Sequence, residues 1–212
     1  MEELDLLKKA WQKDSHSYEQ ISELDIYKML HKKSSSIVKW ILIISVIEVL
    51  FWTAISIFYN TDEYMRKLHA ENMIVYFKAI NFVNYAVILF FIYNFYKNYI
   101  KISTTASTKQ LMQDILRTRK TVKYYVWYNL GMIVASLVAG FIIAFVYNPK
   151  MEVLKNKIAN ETNYYTLFVT LGIMLLTIVV SVCLFWLFYR LLYGILLRKL
   201  NSNYKELKKI DL

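Results

Sequence analysis

Apolar residues gather into four long runs, roughly 37–59, 73–96, 124–147 and 164–189, separated by polar connections. Each run reaches the approximately 20 residues that a helix needs to cross about 30 Å of hydrocarbon. A single proline, Pro149, stands at the end of the third run, and all four runs are proline-free. In lipid the backbone must satisfy its own hydrogen bonds, which uninterrupted helices do. The pattern predicts an all-α integral membrane protein with four transmembrane helices across 37–198. An amphipathic arm at 1–36 precedes them, and a basic tail at 199–212 follows.

The polar segments carry helical periodicity of their own. Leu4, Leu7 and Trp11 recur at i, i+3 and i+7, the stripe of a short amphipathic helix. Asp14-Ser15-His16 reads as a break, and Ser17 with Gln20 has capping-box spacing. The helix predicted from there carries Leu24, Ile26, Met29 and Leu30, and a polar stretch from Lys32 to Ser36 leads into the first span. Two such helices cannot bury a core alone. Their apolar faces must rest on the lipid interface, on the 97–123 connection or on a partner. In that connection, residues 103–108 form a polar hinge, and Ser107 with Gln110 repeats the capping-box spacing. Leu111, Met112, Ile115 and Leu116 follow as a stripe on a helix able to continue into the third span. The outer connections, 60–72 and 148–163, leave little room for a further domain.

Charge orients this arrangement. Of 26 Lys and Arg residues, all but six lie before the first span, between the second and third, or after the fourth. The other side holds Arg66, Lys67, Lys150, Lys155 and Lys157, balanced by Asp62, Glu63, Glu71, Glu152 and Glu161. The whole formal net charge of +10 therefore falls on the side of the termini. The positive-inside rule makes that side cytoplasmic. Topology and attraction to anionic lipid account for the charge, so nucleic acid is not an expected partner. The first apolar run starts too far in for a cleaved signal and should remain as an anchor. Cys183 is the one cysteine and can form no intrachain disulfide. Asn160-Glu161-Thr162 matches a glycosylation sequon.

Polar residues inside the spans are the candidates for chemistry. Glu48 lies near the middle of the first run, with Asn84, Asn81 and Lys78 in the second, Ser136 in the third and Thr177 in the fourth. A carboxyl at such depth costs several kcal/mol unless protonated, hydrated or paired. Glu48 then either forms a proton or cation site or bonds Asn84 or a hydroxyl as interhelical glue. Lys78 either pairs with Glu48 or snorkels outward. The runs show neither broken helices nor repeated halves, which weighs against a small ion-coupled transporter.

In the third run, Gly131, Ala135 and Ala139 fall four apart, as do Ser136, Gly140 and Ala144. Small residues so spaced permit close helix contact, within one bundle or between copies. That leaves open a homo-oligomer or a structural subunit of a membrane complex. Aromatics at the span ends, including Trp40, Tyr93, Tyr96, Tyr124, Tyr125, Trp127 and Tyr189, suit interfacial anchoring. His16, His31 and His69 form no metal-ligand spacing, and no phosphate loop or nucleophile motif occurs. The expectation is a non-enzyme without metal or cofactor.

Three stretches, LDLLKKAWQK at 4–13, IYKMLHKKSSSIVKWILIIS at 26–45 and KISTTASTKQLMQDILRTRKTVKYYVWYN at 101–129, together resemble small four-span membrane proteins of Bacteroidota. The resemblance implies a bacterial inner-membrane protein with an anti-sigma-like role and a sigma factor as partner. Some similar proteins are labelled carotene-cleaving oxygenases. That activity implies iron held by four histidines on a β-propeller, whereas this chain has three histidines and no propeller pattern. The expected function is therefore a membrane-anchored regulatory or scaffold protein. Leu4, Leu7, Trp11, Ile26, Leu30, Leu111 and Ile115 would be its apolar contacts to a soluble partner.

Overall fold

The computed structural model describes residues 22–59, 61–160 and 164–210. It is all helical there, and four of its helices are long and apolar enough to cross a membrane. Helix α1 is Glu23–Phe58, α2 Thr61–Lys67, α3 Ile74–Thr104 and α4 Thr108–Tyr147. Then come α5 Glu152–Asn160, α6 Tyr165–Tyr189 and α7 Ile195–Ile210. A π-helical turn, Arg190–Gly194, joins α6 to α7 without a break. The long rods pack up and down in a ring: α1 lies beside α3 and α7, α3 beside α4, and α4 beside α6 and α7.

The rods are longer than a bilayer. At 1.5 Å per residue, the 36 residues of α1 span about 54 Å and the 40 of α4 about 60 Å. The surplus emerges at the end that carries the termini. There α1, α3, α4 and α7 close around Leu30, Ile37, Val38, Ile102, Leu111, Ile115, Leu200 and Leu207. The rest of the bundle points apolar side chains such as Phe82, Leu89, Leu175 and Leu184 outward, as lipid-facing helices do.

Three boundaries differ from the sequence expectation. The described part of the arm, from Glu23 onward, and the first span are one helix, because Lys32 to Ser36 continue α1 with Ser34 turned into the core. Its start is capped by Ser22, whose hydroxyl accepts from the Asp25 amide at 3.2 Å. Ser17 and Gln20 lie outside the described residues. The tail at 199–212 is mostly the helix α7, which buries Leu200, Asn203 and Leu207 and turns Lys205, Lys208 and Lys209 outward. Residues 108–123 run unbroken into the third span, and the hinge shrinks to 105–107. Ser107 caps nothing with its side chain. Instead the Thr105 hydroxyl sits 2.6 Å from the Lys101 carbonyl and 3.2 Å from the Asp114 carboxyl. Tyr27 of α1 donates to the Thr105 carbonyl at 3.0 Å.

At the opposite end, α2 folds back so that Met65, Leu68 and Ala70 bury Ile143 of α4. The fold-back is ended by His69 in the left-handed conformation at φ 55°, while the Ala70 amide reaches the Met65 carbonyl.

Candidate functional site

Glu48 is 6% exposed and is the buried acid around which the spans converge. Three phenols donate to its carboxyl group: Tyr189 to Oε1 at 2.6 Å, and Tyr193 and Tyr125 to Oε2 at 2.8 and 3.0 Å. They come from α4, the end of α6 and the π turn, so one side chain of α1 ties the first, third and fourth spans together. The π turn helps to present both Tyr189 and Tyr193 to Glu48, with their rings stacked 6.1 Å apart at 24°. Phe91 and Phe95 of α3 meet the Tyr125 ring edge-on at 5.6 and 5.5 Å and close the cluster from the second span. Arg190 follows Tyr189 but turns outward over the Trp186 ring at 5.0 Å.

The partners fix the depth of Glu48. Tyr125 opens the third apolar run and Tyr189 closes the fourth. Glu48 is therefore level with the termini end of those runs, rather than at mid-depth. The reason is that the start of the first run is not all lipid-facing: Ile37, Val38 and Ile41 are core residues of the emergent bundle.

The other intramembrane polar residues find separate partners. Asn84 accepts from Tyr128 at 3.0 Å and does not touch Glu48. Lys78 pairs with Asp62 at 2.7 Å near the opposite end, with both side chains well exposed, so it is not the counter-ion of Glu48. Asn81 is exposed, Ser136 is exposed, and the Thr177 hydroxyl donates to the Ile173 carbonyl of its own helix.

The small-residue face of α4 is not an internal contact. Gly131 and Ala135 are exposed, Ala139 is half-buried, and a Cβ placed on Gly131 or Gly140 would meet nothing within 4 Å. Of the two contacts its spacing permits, the one inside the bundle is not made, because α4 meets its neighbours through Tyr125, Tyr128 and Leu130.

Four of the residues expected to contact a partner are engaged within the chain. Leu30 is buried, Leu111 and Ile115 are fully enclosed, and Ile26 packs against the same core. The two stripes face each other and α7, which closes them off from a docking partner. Leu4, Leu7 and Trp11 lie outside the described residues. Nearby, Asn203 of α7 donates to the Ser34 hydroxyl at 3.0 Å, both side chains being fully buried.

Sequence reasoning missed the three tyrosines as a unit. Tyr125 and Tyr189 read as interfacial anchors, a description that fits the exposed Tyr93, Tyr96, Tyr124 and Trp127 but not these two. The available signal was Tyr189 and Tyr193 four apart on one helical face, opposite the one acid of the first span. His31 is half-buried, with its ring 5.9 Å from that of Tyr27 and its Nε2 buried without a partner. Among the described residues, no group of three or more His, Cys, Asp or Glu side chains could hold a metal ion.

No curated protein and no solved structure matches the chain. A family model does, the domain of unknown function DUF8845, over residues 24–212, which takes in the described helices from Leu24 onward and the whole Glu48 cluster. The chain thus belongs to the DUF8845 family.

Proposed function

We propose that the protein is a non-enzymatic regulatory or scaffold protein of the bacterial inner membrane, with its termini in the cytoplasm. The observation that carries this reading is the emergent bundle. All four rods continue past the lipid-facing region and close around one core, from Leu30 to Leu207. A rigid water-side platform on a four-span anchor is suited to holding a soluble protein at the membrane. The orientation rests on the excess of Lys and Arg at that end.

The Glu48 cluster supports the same reading. Both carboxyl oxygens are engaged by phenol donors from two other rods, which makes Glu48 a tie between spans. Because Leu30, Leu111 and Ile115 are enclosed, capture of a partner falls to the arm, through Leu4, Leu7 and Trp11.

Affinity capture from native membranes in mild detergent tests the proposal. The full chain is compared with a variant carrying Leu7→Asp and Trp11→Asp. The expected result is a soluble protein, such as a sigma factor, held by the first and lost by the second, while both insert equally. A partner captured equally by both variants would refute the role of the arm, and recovery of membrane subunits alone would favour a structural subunit.

A further inference from the structure

Where α3 and α4 leave the lipid-facing region, a polar pocket of about 290 Å³ opens between them. It is lined by Asn94, Lys97, Asn98, Lys101, Arg117 and Thr121. The α3 residues recur at i, i+3, i+4 and i+7 and so form one face, while Arg117 and Thr121 are four apart on α4. Three cations thus converge on one space. Among the described residues, none of the three forms a salt bridge. The nearby acid on α4, Asp114, is buried against Thr105 instead.

Asn98 adds an independent sign of a binding site. It is only 5% exposed, lines the pocket, and its Nδ2 is buried without a hydrogen-bond partner. A buried amide donor left unmade is costly, and native structures rarely keep one without a reason. A guanidinium, two ammonium groups and an amide donor around a small polar cavity form the donor set of a phosphate group, with no acceptor-rich wall to suit a cation.

Position narrows the source. Asn94 lies one turn beyond Phe91, which packs against Tyr125 at the level of Glu48, and exposed Tyr93 and Tyr96 flank the pocket. This is the boundary where aromatic belts and phospholipid headgroups meet. We propose that the α3–α4 pocket is a specific phosphate-binding site, formed by Lys97, Lys101, Arg117 and Asn98. Its occupant is either the headgroup of an anionic phospholipid or a free phosphate compound. The site is independent of whether the arm captures a protein.

Native mass spectrometry of the full chain, released from a neutral detergent, tests this. The probes are phosphatidic acid, phosphatidylcholine and inorganic phosphate. Lys97→Gln with Arg117→Gln removes two exposed cations of the pocket. Lys205→Gln with Lys208→Gln removes two from the exposed face of α7 as a charge-matched control. The wild type and the control are expected to retain phosphatidic acid in preference to phosphatidylcholine. The pocket variant should bind it roughly tenfold more weakly or worse, as expected for lost charge-assisted bonds. Asn98→Leu should also weaken retention while raising the unliganded melting temperature, because the orphaned donor is gone. Retention of phosphatidic acid assigns the site to lipid, and binding of inorganic phosphate without lipid assigns it to a soluble compound. Equal losses in the pocket variant and the control, or no binding of any phosphate probe, would overturn the proposal.

Discussion

Replacing Tyr193 by Phe and Glu48 by Ala, singly and together, measures whether the buried acid is what holds the spans in place. Tyr193 is 1% exposed and donates to Glu48 at 2.8 Å, and Tyr189 and Tyr125 complete the set. Interhelical hydrogen bonds in membrane proteins contribute about 0.6 kcal/mol on average and up to about 1.7. Bonds to charged acceptors in proteins run at about 1.5–3 kcal/mol. A phenol enclosed in this cluster should fall between, so Tyr193→Phe is expected to destabilise by about 1–2 kcal/mol. Glu48→Ala should cost more, on the order of 3–5 kcal/mol, because it orphans three buried hydroxyls at once. The decisive quantity is their coupling. Without Glu48, the Tyr193 hydroxyl is a liability, and its removal should be neutral or stabilising. The cycle should therefore return a coupling energy of at least about 1 kcal/mol. Reversible unfolding in mixed micelles, followed by helical circular dichroism, gives the four stabilities. Additivity within about 0.5 kcal/mol would refute the claim that Glu48 and Tyr193 are partners.

Two further outcomes follow from the packing. Leu207 is fully enclosed near the end of α7, so Leu207→Ala should lower stability by about 2–5 kcal/mol in the same assay, and an unchanged midpoint would show that α7 is not docked. Ala135→Leu should leave the stability of the single chain within about 0.5 kcal/mol, since that position is exposed; a larger loss would place a close contact there.

The spans were legible because lipid imposes one rule on whole helices: every backbone group is satisfied internally and the outside is apolar. That rule gave their number and approximate limits. It could not give depth or register. The run at 37–59 is continuous in composition, yet Ile37 and Val38 are apolar because they meet other helices, whereas Phe51 and Phe58 are exposed where lipid lies. Hydropathy cannot distinguish these two causes of an apolar residue, and so the sequence pattern alone puts Glu48 at mid-depth. Amphipathic stripes at 26–30 and 111–116 were legible as helices with faces to bury. Whether a stripe meets a partner or its own chain depends on long-range pairing. The missing piece was α7, whose Leu200, Asn203 and Leu207 complete the enclosure but whose charge count read as a solvated tail.

The same distinction explains where this molecule concentrates its specificity. In the lipid-facing region there is no hydrophobic driving force between helices, so register must come from polar bonds and shape. Among the described residues the side-chain bonds between spans are correspondingly few and directional: Glu48 with its three phenols, Tyr128 with Asn84, and Thr53 with Tyr85 at 3.5 Å. In the emergent bundle, water supplies the driving force, and a conventional core of Leu and Ile suffices. Glu48 sits at the junction of the two regimes. A shift or rotation of α1 against α4 and α6 would break its bonds as well as disturb the core above. The cluster therefore joins the position of the spans to the geometry of the emergent core, as the proposed scaffold role requires.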